Sequence, residues 1–310
     1  MLKPIKVKRM YRLVPIVFLL FFASCNMSST RQSGNSENQE ASNMEQLAAT
    51  RFDYAVDYGD ALDLLDKTDL NSIDLAIAAF KKSTPDSVAA QSLSADSMLV
   101  VLTDFIQSVV QTYDETNLNG NVELINKLRN DADNADVTGF KEQLDAHGIA
   151  LTSVNDDFFL EIKYSFLLNV LKNNLSNTSK RFMELKVNDE RKPLVVDEKL
   201  IFSPDTIAAR LMQWEDFVKA NPAYISVHDA ENRCSDFLTL MLSGTEENPV
   251  FDLDTKLVVP EFKIVYEKYI NQNPERTSTL VIKRFYDLLA ETGFKYNEKI
   301  DSFLSENVTQ

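Results

Sequence analysis

Trp214-Glu215-Asp216-Phe217-Val218-Lys219-Ala220-Asn221-Pro222 recurs 52 residues further on as Tyr266-Glu267-Lys268-Tyr269-Ile270-Asn271-Gln272-Asn273-Pro274. Aromatic, Glu, charged, aromatic and β-branched positions match in register, and each copy ends in Asn-Pro. The two aromatics of a copy are three residues apart, which puts both rings on one face of a helix. Proline disfavours helical geometry in its predecessor, so each helix ends at the Asn. A second apolar helix follows each copy and runs out at Gly244 or Gly293. Glycine takes the left-handed backbone of a helix C-terminal cap more freely than any other residue. The spacing therefore predicts two helix-turn-helix hairpins within residues 205–310. A fainter third copy, Phe80-Lys81-Lys82-Ser83-Thr84-Pro85, matches Phe217 to Pro222 in its first and last residues only.

The two strong copies resemble the tetratricopeptide-like units of bacterial envelope lipoproteins, in which an aromatic-rich helix ends before a proline and a second helix follows. Their usual period is about 34 residues. The excess here falls in the loop Thr245-Glu246-Glu247-Asn248-Pro249 and in the extended stretch Val250 to Val259. The resemblance implies a concave face that takes a partner protein or peptide. Trp214, Phe217, Tyr266 and Tyr269 are then either core residues joining one hairpin to the next, as their helical spacing favours, or an aromatic box for a ligand.

Upstream, the chain reads as mostly helical. Leu62, Leu64, Leu65, Ile73, Leu75, Ile77 and Phe80 open a helical region over residues 46–147. Its clearest helix runs from Ala95 to Tyr113, where Met98, Val101, Leu102, Phe105 and Val109 recur every three or four residues. Shorter helices are expected from Asn121 to Asp131 and from Asp136 to Ala146, the latter with Asp136 as N-cap. Gly148 opens residues 148–204, where Ile149, Leu151 and Ser153 alternate up to Asn155-Asp156-Asp157, with Phe158, Leu160 and Ile162 beyond. This predicts a β-hairpin over 149–162. The competing reading runs a helix from Asp156 through Phe159, Ile162, Phe166 and Val170. A helix covers Tyr164 to Leu175 on either reading. Residues 186–204, between Pro193 and Pro204, read as an extended surface connector. The fold class is all-α with one small hairpin.

The first 25 residues say where the chain works. Lys3 to Arg12 is basic, Leu13 to Phe22 is an unbroken apolar run, and Phe22-Ala23-Ser24-Cys25 follows. A membrane-spanning helix needs about 20 apolar residues, twice this run, so a cleaved secretory signal is the better reading. The segment resembles the lipobox of bacterial lipoproteins, with Phe22 where leucine is usual. The resemblance implies removal of residues 1–24, lipidation of Cys25, and a place in the bacterial cell envelope, on the outer membrane and facing the periplasm or the surface. Residues 25–45, rich in Ser, Asn, Gln and Glu, read as a flexible tether.

The whole chain of 310 residues carries 32 basic and 47 acidic side chains, a formal charge of −15. Loss of Lys3, Lys6, Lys8, Arg9 and Arg12 leaves 27 basic against 47 acidic, or −20. No basic stripe remains, which argues against nucleic acid as a partner. With Cys25 lipidated, Cys234 has no partner in the chain, so it reads as a buried, inert thiol rather than an intermolecular bridge or a reactive group. There are only two histidines and seven glycines, so a catalytic triad or a phosphate-cradling loop finds little material. No cofactor is expected.

His228-Asp229-Ala230-Glu231 resembles the His-x-x-Glu signature of imelysin-like helical envelope proteins. That resemblance implies a metal near His228 and Glu231, although the supporting glycine is Ser226 here. Asp131, Asp133 and Glu142 fall at the first, third and twelfth positions of an EF-hand loop, but Asp136 stands where the loop needs glycine and Ala135 at its fifth position. The expectation is a non-enzymatic helical scaffold for another envelope protein or peptide. The alternative is a ligand- or metal-binding envelope protein with its site at His228 and Glu231. The whole arrangement also resembles an uncharacterised group of envelope lipoproteins.

Overall fold

Residues 57–84, 93–130, 134–154, 157–196 and 199–308 are described by the computed structural model. They are mainly helical, with two small antiparallel two-stranded sheets. Cys25, the tether, Asp131, Asp133, and the proline of the faint third copy, Pro85, lie outside them. Among the described residues no helix is long and apolar enough to cross a membrane.

The first half begins with α1 (57–63), α2 (Asn71–Ser83) and α3 (Leu93–Tyr113), which runs on into a π-helical turn, Asp114–Leu118. There follow α4 (Val122–Asn130), α5 (Ala135–Ala146), β1 (Ile149–Val154), β2 (Asp157–Ile162) and α6 (Tyr164–Leu171). The cap of α5 is Asn134, whose side chain accepts the Asp136 N–H, so the helix starts two residues earlier than Asp136 as cap would have it. The hairpin reading of 149–162 holds. Ile149 faces Ile162, Leu151 faces Leu160 and Ser153 faces Phe158, so one apolar face forms from both strands. That face packs on a cluster with Phe80, Leu102, Ile106 and Leu171.

α7 (Asn177–Arg191) corrects the sequence reading of an extended connector starting at 186. Ser176 caps it, its hydroxyl accepting the Ser179 N–H at 3.0 Å. α7 is wedged between two cores. Met183 belongs to the first cluster, while Phe182 and Leu185 belong to the second. A helix buried on two sides loses the single apolar stripe that marks an amphipathic helix in sequence. Only after Arg191 does the chain extend, into the short hairpin β3 (Val195–Val196) and β4 (Lys199–Leu200). Even there it is not wholly superficial, since Leu194 is buried.

Polar contacts also cross the seam. Asp96, buried near the start of α3, accepts the hydroxyls of Ser176 at 2.6 Å and Ser179 at 2.5 Å. The Ser179 hydroxyl in turn meets the Tyr224 hydroxyl at 3.0 Å. A buried carboxylate is tolerated here because both hydroxyl donors come from the first turn of α7, where the helix dipole favours negative charge.

The second half contains the two hairpins the repeat predicts. α8 (Pro204–Ala220) packs on α9 (Val227–Ser243), and α10 (Pro260–Gln272) packs on α11 (Thr277–Glu291). α8 also lies on α10 and α9 on α11, so the hairpins stack, and α12 (Glu298–Asn307) closes the end against α11 and α9. Both α8 and α10 begin with proline and end alike. Asn221 has φ −134° and ψ 55°, and Asn273 has φ −132° and ψ 49°. Each Asn side chain donates back to a carbonyl four residues earlier, Phe217 at 2.9 Å and Tyr269 at 3.2 Å.

The extra residues of the long period form an ordered strap. Gly244 leaves α9 with φ 71° and ψ −148°, a conformation open to glycine alone, and a Cβ there would stand 2.3 Å from the Asn248 carbonyl oxygen. Gly293, with φ 65°, ends α11 in the left-handed sense the sequence implies. Bridges from Gly244 to Pro249, Phe251 to Val258 and Leu257 to Lys295 then tie the strap down, and Val250, Phe251 and Val258 are buried.

Candidate functional site

The repeated aromatics are turned inward. Trp214 and Tyr266 are 0% exposed, Phe217 3% and Tyr269 2%. Each first aromatic sends its polar end to the preceding helical unit. The Trp214 indole N–H donates to Asp189 of α7 at 3.0 Å, and the Tyr266 hydroxyl donates to the Met241 carbonyl at the end of α9 at 2.5 Å. Each second aromatic turns toward its own hairpin turn: the Phe217 ring meets Tyr224 at 5.5 Å, and the Tyr269 hydroxyl meets Ser278 at 2.7 Å. The first aromatic of each copy thus joins its hairpin to the unit before it, and all four side chains are enclosed by protein.

Between the hairpins lies a groove of about 850 Å³, walled by α8, α9 and the turn from α10 to α11. Leu211, Val218, Leu238 and Val281 give it apolar surface, and Asp216, Lys219, Glu231 and Glu275 carry charge at exposed positions. Glu215, matched by Glu267 in the repeat, reaches across it. One carboxylate oxygen accepts the Ser278 N–H at 2.9 Å, and the other accepts the Tyr269 hydroxyl at 3.2 Å and stands 3.5 Å from Arg276. Ser278 is in the first turn of α11, where an unpaired N–H and the helix dipole both favour an anion. Glu215 therefore caps a helix of the neighbouring hairpin. Arg276 is held in addition by Asp216 at 2.9 Å and by the Met212 carbonyl at 3.2 Å.

Sequence reasoning registered the recurring Glu but gave it no role. The signal was its place in an otherwise aromatic pattern. Arg276 left no such trace, because the matching residue of the first copy is Tyr224.

Cys234 lines the groove and is half-buried, rather than enclosed in the core as expected. Burial, with the charges of Glu215 and Glu231 adding to it, pushes its thiol up to about 12. The thiolate is the reactive form, so this cysteine is inert at neutral pH. In a Cys25→Ser chain, Cys234 is expected to react with an aromatic disulfide reagent at pH 8 about a hundredfold or more slower than a free thiol, with full reactivity on unfolding. Fast labelling of the folded chain would contradict the buried setting.

His228 and Glu231 sit on the first turns of α9, with Nδ1 of His228 2.7 Å from a Glu231 oxygen. The histidine side chain is 88% exposed. Among the described residues no group of three or more His, Cys, Asp and Glu is placed to hold a metal ion. Compared with protein-family models, with curated proteins and with solved structures, the chain gives no match.

Proposed function

We propose that the chain is a lipid-anchored protein of the bacterial cell envelope whose stacked helical hairpins hold a segment of another protein or a peptide, without chemistry of their own. The observation that carries the binding half is the groove between the hairpins. Its volume of about 850 Å³ is in the range of ligand sites, and it combines apolar side chains with a charged margin. The repeated aromatics serve as the joints that hold its walls. The anchor half rests on the basic segment, the apolar run and the Phe22-Ala23-Ser24-Cys25 sequence. Two acyl chains on Cys25 suffice for stable attachment without a spanning helix.

Two measurements test the two halves separately. Cys25→Ser is expected to move the protein from the membrane fraction to the soluble fraction, and mass spectrometry of the wild-type N-terminal peptide is expected to find Cys25 acylated. An unmodified Cys25, or a leader still attached, ends the anchor reading. For the groove, a tagged wild-type chain is expected to retain a partner from detergent-solubilised envelopes that a Ser235→Trp chain, with the groove filled by the indole, does not retain. Equal retention by both would place binding elsewhere on the chain.

A further inference from the structure

The groove between the hairpins has a charged end and an apolar end. Glu231, Cys234, Ser235 and Leu238 line it at spacings of three and four along α9, so one face of that helix makes a wall. Leu211, Glu215 and Val218 do the same on α8. Because α8 and α9 form a hairpin, the last turn of one lies beside the first turns of the other. Lys219 and Glu231 therefore stand at the end nearest that turn, and Leu211 and Leu238 at the far end. Val281 of α11 adds apolar surface, and Glu275 stands on the turn from α10 to α11.

Acids outnumber bases along the groove. Glu215, Asp216, Glu231 and Glu275 are set against Lys219 and Arg276, a formal charge of −2. Arg276 is shared by two of these acids, Asp216 at 2.9 Å and Glu215 at 3.5 Å, so one cation is spread over two carboxylates. Among the described residues Glu231 meets only His228, whose side chain is 88% exposed, and no ion pair or hydrogen bond reaches Glu275. Both carboxylates are exposed, so a cation arriving there displaces water rather than a lysine or arginine of the chain. Inside the groove the field has the same sign, since the charges of Glu215 and Glu231 both act on the Cys234 thiol against its ionisation.

Resting on the groove as the binding site, we propose that its occupant is a basic, apolar segment of another protein, whose lysine or arginine side chains pair with Glu231 and Glu275 and whose aliphatic or aromatic side chains lie against Val218, Leu238 and Val281. The alkyl stems of lysine and arginine suit such a surface, because they cover apolar walls while the charged head stays at the margin. An acidic segment would bring its carboxylates to a site already in negative excess, with Lys219 alone to receive them, and like charges brought together cost affinity. The charge of the whole chain, −15, steers encounters the same way. A wholly apolar segment would strip water from Glu231 and Glu275 and return no partner.

The test is selection of short random peptides, displayed on phage, against the folded wild-type chain in detergent, with the Ser235→Trp chain probed in parallel. Lysine and arginine are expected to exceed aspartate and glutamate by about threefold or more in the enriched peptides, beside aliphatic or aromatic residues. No enrichment, or equal binding to a folded Ser235→Trp chain, overturns the groove as the site and the proposal with it. Neutral or acidic peptides that Ser235→Trp fails to bind leave the groove standing and overturn the basic segment. For one enriched peptide, the double variant Glu231→Lys and Glu275→Lys is expected to weaken binding about tenfold or more. Glu246→Lys with Glu247→Lys, the same change of net charge on exposed residues outside the groove, is expected to weaken it less than about threefold. Equal losses in the two double variants would assign the preference to the charge of the whole chain and overturn the pairing. All four residues are exposed, so these substitutions spare the core and decide the matter even where Ser235→Trp does not fold.

Discussion

Trp214→Ala is expected to destabilise the second half of the protein by about 3–5 kcal/mol, the range for deleting a fully enclosed large aromatic. The indole is completely buried, with the Phe182 ring 5.6 Å away and the Phe217 ring 6.3 Å away, both edge-on. No flexible side chain borders the space it would leave on those sides, so the surroundings collapse poorly. A second loss comes from Asp189. Without the indole N–H, one oxygen of a carboxylate that is only 16% exposed has no donor, while its other oxygen still holds the buried Arg210. Leaving such a group unsatisfied costs about 1–3 kcal/mol. Trp214→Phe keeps one aromatic ring but removes both the donor and the volume of the second ring, so its expected loss is smaller than that of Trp214→Ala, about 2–3 kcal/mol. Urea unfolding followed by far-ultraviolet circular dichroism measures both. A loss under about 1 kcal/mol for Trp214→Ala would mean that the residue is not the joint between α7 and α8.

The reason this joint was legible in sequence is that it occurs twice. Position 214 and position 266 make equivalent contacts to the preceding unit, so selection of an aromatic at both follows from one packing requirement, and the Asn-Pro ends follow from one cap geometry. The β-hairpin was legible for a different reason: Ile149, Leu151, Leu160 and Ile162 fall on one face only with strand periodicity. α7 was not legible. Its buried residues Phe182 and Leu185 serve one core and Met183 the other, so no helical stripe stands out from the polar background. The groove lay further out of reach, because it depends on how α8, α9 and the α10–α11 turn come together across elements distant in sequence, and neither composition nor period carries that information.

Glu215→Ala is expected to cost about 2–3 kcal/mol, whereas Glu267→Ala, at the same position of the repeat, is expected to cost less than about 1 kcal/mol. The sequence treats the two residues alike and the structure does not. Glu215 is 14% exposed, holds the first turn of α11 through the Ser278 N–H, and balances Arg276. Its removal leaves a helix N-terminus without its acceptor, and leaves Asp216, 64% exposed, as the counter-charge of a part-buried guanidinium. Among the described residues Glu267 meets only the Tyr286 hydroxyl, at an exposed site where water substitutes for it. Glu215→Gln keeps an acceptor for Ser278 and removes the charge, so it should fall between, at about 1 kcal/mol, the contribution of an anion at a helix N-terminus. Urea midpoints of the three variants decide the order. Equal losses at 215 and 267 would show that the carboxylate does not join the hairpins. Because Glu215 holds the α10–α11 turn against α8, its loss also loosens one wall of the groove. Partner retention is therefore expected to weaken in Glu215→Ala and to persist in Glu267→Ala, a split that general destabilisation of the repeat would not produce.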